Sequence, residues 1–221
     1  MDATPRVKIC CISSLEEAWT AIDHGASALG LVSEMPSGPG VIPESLIADI
    51  AGRIPPFVSS VLLTSKRRSS EIIEQHRRCG TNAIQICDDL NPGALDEIAR
   101  ALPDIDLIKV IHVPGEGSIG EAEAVAPYVD GILLDSGSKG GSVVELGGTG
   151  RTHNWDVSRR IVEAVETPVI LAGGLNPGNV AEALKQVQPY AVDVCSGVRT
   201  GESLDSAKLQ SFMSQVRGSA Q

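Results

Sequence analysis

Aromatic side chains are nearly missing from this sequence of 221 residues: two Trp, two Tyr and two Phe, 3% of the chain. The core must therefore be packed from Val, Ile, Leu and Ala. Cations are also scarce. Lys and Arg total 18 against 28 Asp and Glu, a net charge of −10. A duplex-binding protein needs a cationic face, so nucleic acid is not an expected partner, although a local anion site built from backbone dipoles is compatible with this balance. No run of about 18 apolar residues exists, so no transmembrane helix is expected. The start, Met1 to Lys8, has no apolar signal core, which makes the cytoplasm the expected location. The five cysteines include no C-x-x-C pair. That argues against a disulfide framework and a structural zinc site. The four histidines lack metal-ligand spacing, so no metal is expected. Neither a P-loop nor a G-x-S-x-G is present.

What the chain does have is a regular alternation. Short apolar runs at Val7–Ile12, Ala28–Val32, Phe57–Leu63, Ala83–Ile86, Leu107–Val113, Gly131–Leu134, Pro168–Leu171 and Ala191–Val194 read as strands buried on both faces. Each is followed by a helical pattern: Leu15–His24, Pro43–Gly52, Ser69–Cys79, Pro92–Leu102, Ile119–Ala126, Asp156–Val165, Pro177–Val187 and Leu204–Val216. Asn91-Pro92 and Asn176-Pro177 each suggest a capping Asn before a Pro at the first helical position. Eight strand-then-helix units predict an α/β fold, a single (β/α)8 TIM barrel. A doubly wound sheet would leave the last units unexplained. No composition break divides residues 1–221, so one domain is expected.

A barrel of this kind carries its site at the C-terminal ends of the strands, often with phosphate bound after strands seven and eight. Gly173 and Gly174 follow strand seven; Cys195, Ser196 and Gly197 follow strand eight. Small residues let backbone N–H groups approach an anion, and these loops are the expected phosphate site; the bland reading is tight turns. Asp135, after strand six, is placed to act as an acid or base, or merely to cap a loop. Strict alternation sends Cys10 and Cys11 to opposite sides. Lys8 shares a face with Cys10, and an ammonium there favours the thiolate. Cys10 is thus the candidate base or nucleophile, and Cys11 reads as a small buried hydrophobe. Lys66-Arg67-Arg68 reads as a solvated loop, or more sharply as an anion clamp. Gly115-Glu116-Gly117-Ser118-Ile119-Gly120 matches G-x-G-x-x-G, with Asp135 about 20 residues on. The following helix is short and four β–α units precede it, so a flexible loop is preferred to a dinucleotide site.

Six stretches, in order, resemble the phosphoribosylanthranilate isomerase family. Val7-Lys8-Ile9-Cys10, then Ile12-Ser13, is similar to V-K-I-C-G-I-T. Gly25-Ala26 with Gly30-Leu31-Val32 is similar to G-A-D-x-x-G-F-V. Leu133-Leu134-Asp135-Ser136 resembles L-L-D-S/T, and Gly147-Gly148-Thr149-Gly150 with Trp155 resembles G-G-T-G-x-x-F-x-W. Leu171 to Asn179 resembles L-A-G-G-L-x-P-x-N, and Val192 to Val198 resembles V-D-V-S-S-G-V. The resemblance implies an aldose–ketose isomerase of tryptophan biosynthesis that needs no cofactor. Its reaction would be the Amadori rearrangement of N-(5′-phosphoribosyl)anthranilate, with Asp135 as general acid and Cys10 as general base. It further implies that Lys8, Gln85, Gly148, Gly173, Gly174, Asp193, Cys195, Ser196 and Gly197 bind the phosphosugar, in a monomer or homodimer.

The sequence also departs from the family pattern. The Arg that clamps the anthranilate carboxylate is missing from Ser37-Gly38-Pro39-Gly40. The His of Q-L-H-G is replaced in Gln85-Ile86-Cys87-Asp88. Cys11 stands for a Gly, Cys195 for a Ser and Arg199 for a Glu. Two alternatives follow. One is a paralogous isomerase of another phosphoribosylamine, with Arg67, Arg68 or Arg199 on the aglycone. The other is a non-catalytic phosphosugar-binding barrel. The sequence leaves open whether the loop from Ser136 to Gly150 closes over the site.

Overall fold

The eight apolar runs close on one another. In the computed structural model, which describes residues 5–91, 93–136 and 154–219, they form a closed parallel barrel in chain order. Its strands are β1 (Arg6–Ile9), β2 (Ala28–Val32), β3 (Ser59–Thr64), β4 (Ala83–Ile86), β5 (Asp106–His112), β6 (Gly131–Asp135), β7 (Val169–Leu171) and β8 (Ala191–Val194). The helices are α1 (Leu15–Asp23), α2 (Glu44–Ala51), α3 (Ser69–Cys79), α4 (Ala94–Ala101), α5 (Gly117–Val125), α6 (Trp155–Ala164), α7 (Val180–Val187) and α8 (Ser206–Gly218). The first and last strands make the closing seam, with Lys8 opposite Asp193 and Ile9 opposite Val194.

The strand period of two divides the core. Residues such as Ile9, Leu29, Leu31, Ile84, Ile86 and Leu134 pack outward against the helices, with Ile161 and Phe212. The inward set includes Val61, Leu63, Ala83, Ile108, Val110, Leu133 and Ile170. With so few aromatics, both layers are filled by branched aliphatics, which suits a barrel interior.

Several boundaries differ from the sequence expectation. β1 ends at Ile9 rather than Ile12, because Cys11 takes a left-handed φ of 64° and breaks the extended run. β3 starts at Ser59; Phe57 is fully exposed, with φ 71°. α7 starts at Val180, not Pro177. The Asn176 side chain instead accepts from the Gly178 N–H (2.8 Å), and its carbonyl accepts from the N–H groups of Asn179 and Val180. α4 starts at Ala94, behind Gly93; Pro92 lies outside the described residues. Leu204 belongs to a two-stranded hairpin, β9 (Arg199–Thr200) with β10 (Ser203–Leu204), and α8 begins after it. Asp205 caps α8 by accepting from the N–H groups of Ala207 and Lys208, each at 3.0 Å. α5 begins at Gly117, inside the G-x-G-x-x-G stretch. A Cβ at any of its three glycines would meet nothing within 4 Å, so close approach requires none of them.

Candidate active site

At the C-terminal ends of the strands, Cys10, Cys11, Gln85, Cys87, Asp135, Gly173, Gly174, Asp193, Cys195 and Ser196 line one cleft. A larger cavity, about 740 Å³, opens at the opposite end beside Pro55, Phe57 and Tyr190. It lies at the strands' N-terminal ends, where barrels use conserved residues for stability and place no chemistry, and no thiol lines it.

The base of the site is a buried ion pair on the seam. The Lys8 ammonium donates to Asp193 Oδ1 at 2.8 Å. Burial opposes the charge on Lys8, but Asp193 more than compensates, so the ammonium is held charged well above its usual range. Lys8 does not itself line the cleft; it reaches the site through Asp193 and Cys10. Gly30 makes this possible, since a Cβ there would come within 2.9 Å of Cys10 Sγ and 3.1 Å of Lys8 Nζ.

Three thiols gather above this pair. Cys195 donates to Cys11 Sγ at 2.7 Å. A hydrogen bond from the Cys11 thiol lowers the Cys10 pKa; burial opposes it, and the Lys8 ammonium adds to the lowering. Cys11 accordingly keeps its proton. Alternation had placed Cys11 on the far side of the strand. Its left-handed φ instead turns it into the cleft, where both cysteines belong to the wall. Gly40 gives way to it: a Cβ at Gly40 would lie 2.5 Å from Cys11 Cβ. Cys87 differs, because burial pushes its thiol up to about 12.

Asp135 ends β6 and is 7% exposed. Burial raises its pKa to about 6; the N–H of Ser136, which donates to Oδ1 at 2.7 Å, works against the rise. At neutral pH a useful fraction therefore keeps its proton. Gly173 packs directly on this pair. Its φ is 81°, and a Cβ would fall 2.8 Å from the Ser136 nitrogen and 3.0 Å from Asp135 Oδ1. Gly174 is also left-handed, and its carbonyl accepts from Asn179 Nδ2 at 2.9 Å. Gly197 sits where a Cβ would run into the Leu175 carbonyl oxygen. The two loops thus press backbone against backbone after β7 and β8, as an anion-binding turn requires. Gln85 donates through Nε2 to Cys87 Sγ at 3.7 Å, while its buried Oε1 has no partner among the described residues. Gly148 lies outside the described residues.

The basic residues do not behave as a clamp. Arg67 donates to the Asp89 carbonyl and Arg68 pairs with Glu71. Arg199 pairs with Glu17 at 3.0 Å and donates to the carbonyls of Cys11 and Glu202. None of the three lines the cleft. Each guanidinium already has protein acceptors outside the cleft. Sequence reasoning also missed the apolar wall of Val32, Met35, Leu63 and Leu133. The signal was available, since Val32 and Leu63 sit at or next to strand ends, Met35 lies just past one and Leu133 is two residues before another.

A parallel eight-stranded barrel whose C-terminal mouth holds a raised carboxyl, a lowered thiol and two glycine-bearing loops defines an acid–base (β/α)8 enzyme. Comparison with known proteins narrows this class. Residues 7–215 match the family model for N-(5′-phosphoribosyl)anthranilate isomerase. An enzyme of that name from Methanocella arvoryzae is 39% identical over 213 residues, 96% of this chain and 98% of its own. One from Methanosarcina acetivorans is 37% identical, covering 96% of this chain and 93% of its own. The crystal structure of phosphoribosyl anthranilate isomerase from Thermotoga maritima superposes with a TM-score of 0.83 at 30% identity, over 97% of this chain and 99% of that one. The chain belongs to the N-(5′-phosphoribosyl)anthranilate isomerase family. Its reaction is the Amadori rearrangement of N-(5′-phosphoribosyl)anthranilate, an aldose–ketose isomerisation in tryptophan biosynthesis.

Proposed function

We propose that Asp135 is the general acid and Cys10 the general base of this rearrangement. Asp135 gives its proton to the ribose ring oxygen as the bond from C1 to that oxygen breaks and the anthranilate nitrogen forms a Schiff base. The Cys10 thiolate takes the C2 proton, and the released electron pair makes the C1–C2 double bond of an enolamine. Loss of the enol proton and protonation at C1 give the ketone. The observation that carries this reading is the opposite shift of two groups lining one cleft, a carboxyl raised to about 6 and a thiol lowered beside an ammonium.

Gly173, Gly174, Cys195, Ser196 and Gly197 hold the phosphate, with Gly148 completing the grip. Lys8 and Asp193 position the base, and Gln85 Oε1 accepts from a sugar hydroxyl. The aromatic ring rests on Val32, Met35 and Leu63, and its carboxylate meets the cation-free stretch Ser37–Pro39. A solved relative in complex with reduced 1-(o-carboxyphenylamino)-1-deoxyribulose 5-phosphate supports the ligand class: its TM-score is 0.81 at 28% identity. The chain acts as one barrel domain in the cytoplasm, as a monomer or homodimer. No described helix is long and apolar enough to cross a membrane, and one solved relative is described as a dimeric enzyme converted to monomers.

The test is the decay of anthranilate fluorescence on freshly made substrate. Cys10→Ala and Asp135→Asn should each lower kcat by about 10²–10⁴-fold, the usual worth of a positioned acid or base. Turnover that survives either change within a few-fold would remove that residue from its role.

A further inference from the structure

We propose that Cys11 and Cys195 form a redox-modification site at the mouth of the active site. A low-molecular-weight disulfide joins their sulfurs, and the cross-link switches off the isomerase. The first part stands on geometry alone; the loss of activity rests on the reading of Cys10 and the phosphate loop given above.

Both thiols are free, and their sulfurs lie 2.7 Å apart although the residues are 184 positions apart in sequence. They sit just past the last paired residues of adjacent strands. Ile9 is opposite Val194, and the Cys10 N–H donates to the Val194 carbonyl at 2.8 Å. Neighbouring strands run about 4.7–4.9 Å apart, within the span that a disulfide bridges. The fold also pays a strain cost to bring Cys11 there. A left-handed φ is unfavourable for a residue with a Cβ, and Gly40 leaves out its own side chain to make room. A thiol that only filled space would need neither. Arg199 adds a fixed cation: it donates to the Cys11 carbonyl, and its charge interacts with both sulfurs.

The chemistry balances simply. Cys195, the more exposed of the two, attacks one sulfur of the small disulfide, loses its proton and expels one small thiolate. Cys11 loses its proton and displaces the second. Two S–H bonds break and one protein S–S bond forms; the two electrons and two protons leave on two small thiols. The product fixes the loop after β8 to the end of β1 and removes the proton that Cys11 shares with Cys10.

Full-length protein treated with oxidised glutathione should lose two hydrogens in mass. Peptide mapping should then place the link between Cys11 and Cys195. Turnover should fall at least tenfold and return with dithiothreitol. In Cys195→Ser and, independently, Cys11→Gly, the ratio of oxidised to reduced turnover should stay within twofold, whatever the reduced rate. Cys10→Ala should still form the link, which separates this site from the assignment of the base. A link mapped to Cys10, no link under conditions that oxidise a free dithiol, or a link that leaves turnover unchanged would each overturn the proposal.

Discussion

Asp135 illustrates how one side chain sets stability against chemistry. An unfolded Asp titrates near 3.9, and burial moves Asp135 to about 6. Between those values the folded chain binds more protons than the unfolded chain. Stability therefore falls as pH rises through this window and stays lower above it. Two units correspond to about 3 kcal/mol. Asp135→Asn should thus be more stable than the parent by about 2 kcal/mol at pH 8, with the gap closing as pH falls towards 4. Urea unfolding across that range checks the sign. Asp135 was legible in the sequence as an acid at a strand end. How far burial raises its pKa was not, because that depends on 7% exposure and on the Ser136 N–H. Cys11 was misread for a similar reason: alternation holds only while the strand lasts, and β1 stops at Ile9.

At the scale of elements, the hairpin β9–β10 explains Arg199, which the sequence offered as an aglycone contact. Glu17 on α1 accepts twice from Arg199 at 3.0 Å, and also from the N–H groups of Leu204 and Ser13. Burial would raise the Glu17 carboxyl, but these donors outweigh it and hold the carboxyl below its usual range. The pair pins the hairpin and the loop after β8 to the first helix. Glu17→Ala would leave a guanidinium 7% exposed without its carboxylate, with only the carbonyls of Cys11 and Glu202 as acceptors. It should cost about 3 kcal/mol of stability, near the lower bound for breaking a buried pair, and should raise KM for the substrate because the loop after β8, proposed to hold the phosphate, loses its anchor. Chemical denaturation and steady-state kinetics check both. The helices and strands themselves were readable from periodicity. The hairpin was not, since its two-residue strands carry no periodic signal and Leu204 looked like the start of α8.

Across the whole molecule, the barrel separates its two ends. The acid, the thiols and the glycine turns crowd one rim, while Phe57 stands fully exposed at the other with φ 71°. Asn tolerates the left-handed conformation that a bulky residue resists, and no packing is lost at an exposed site. Phe57→Asn should therefore raise stability by about 0.5–1 kcal/mol and leave kcat/KM unchanged, as thermal melting and turnover would show. The eightfold repeat and the placement of the site at the strand ends were plain in the sequence, because both follow from the order of apolar runs. The left-handed backbone of Phe57 at one end and of Cys11 at the other required coordinates.

The closing seam has a consequence for synthesis. Lys8 leaves the ribosome 185 residues before Asp193, which it faces across the seam. Until β8 is made, the strand that leads to the Cys10 thiol has β2 on one side and no strand on the other. Catalysis begins only when β1 and β8 meet, so a prematurely terminated product lacking β8 is inert however well its earlier units have folded.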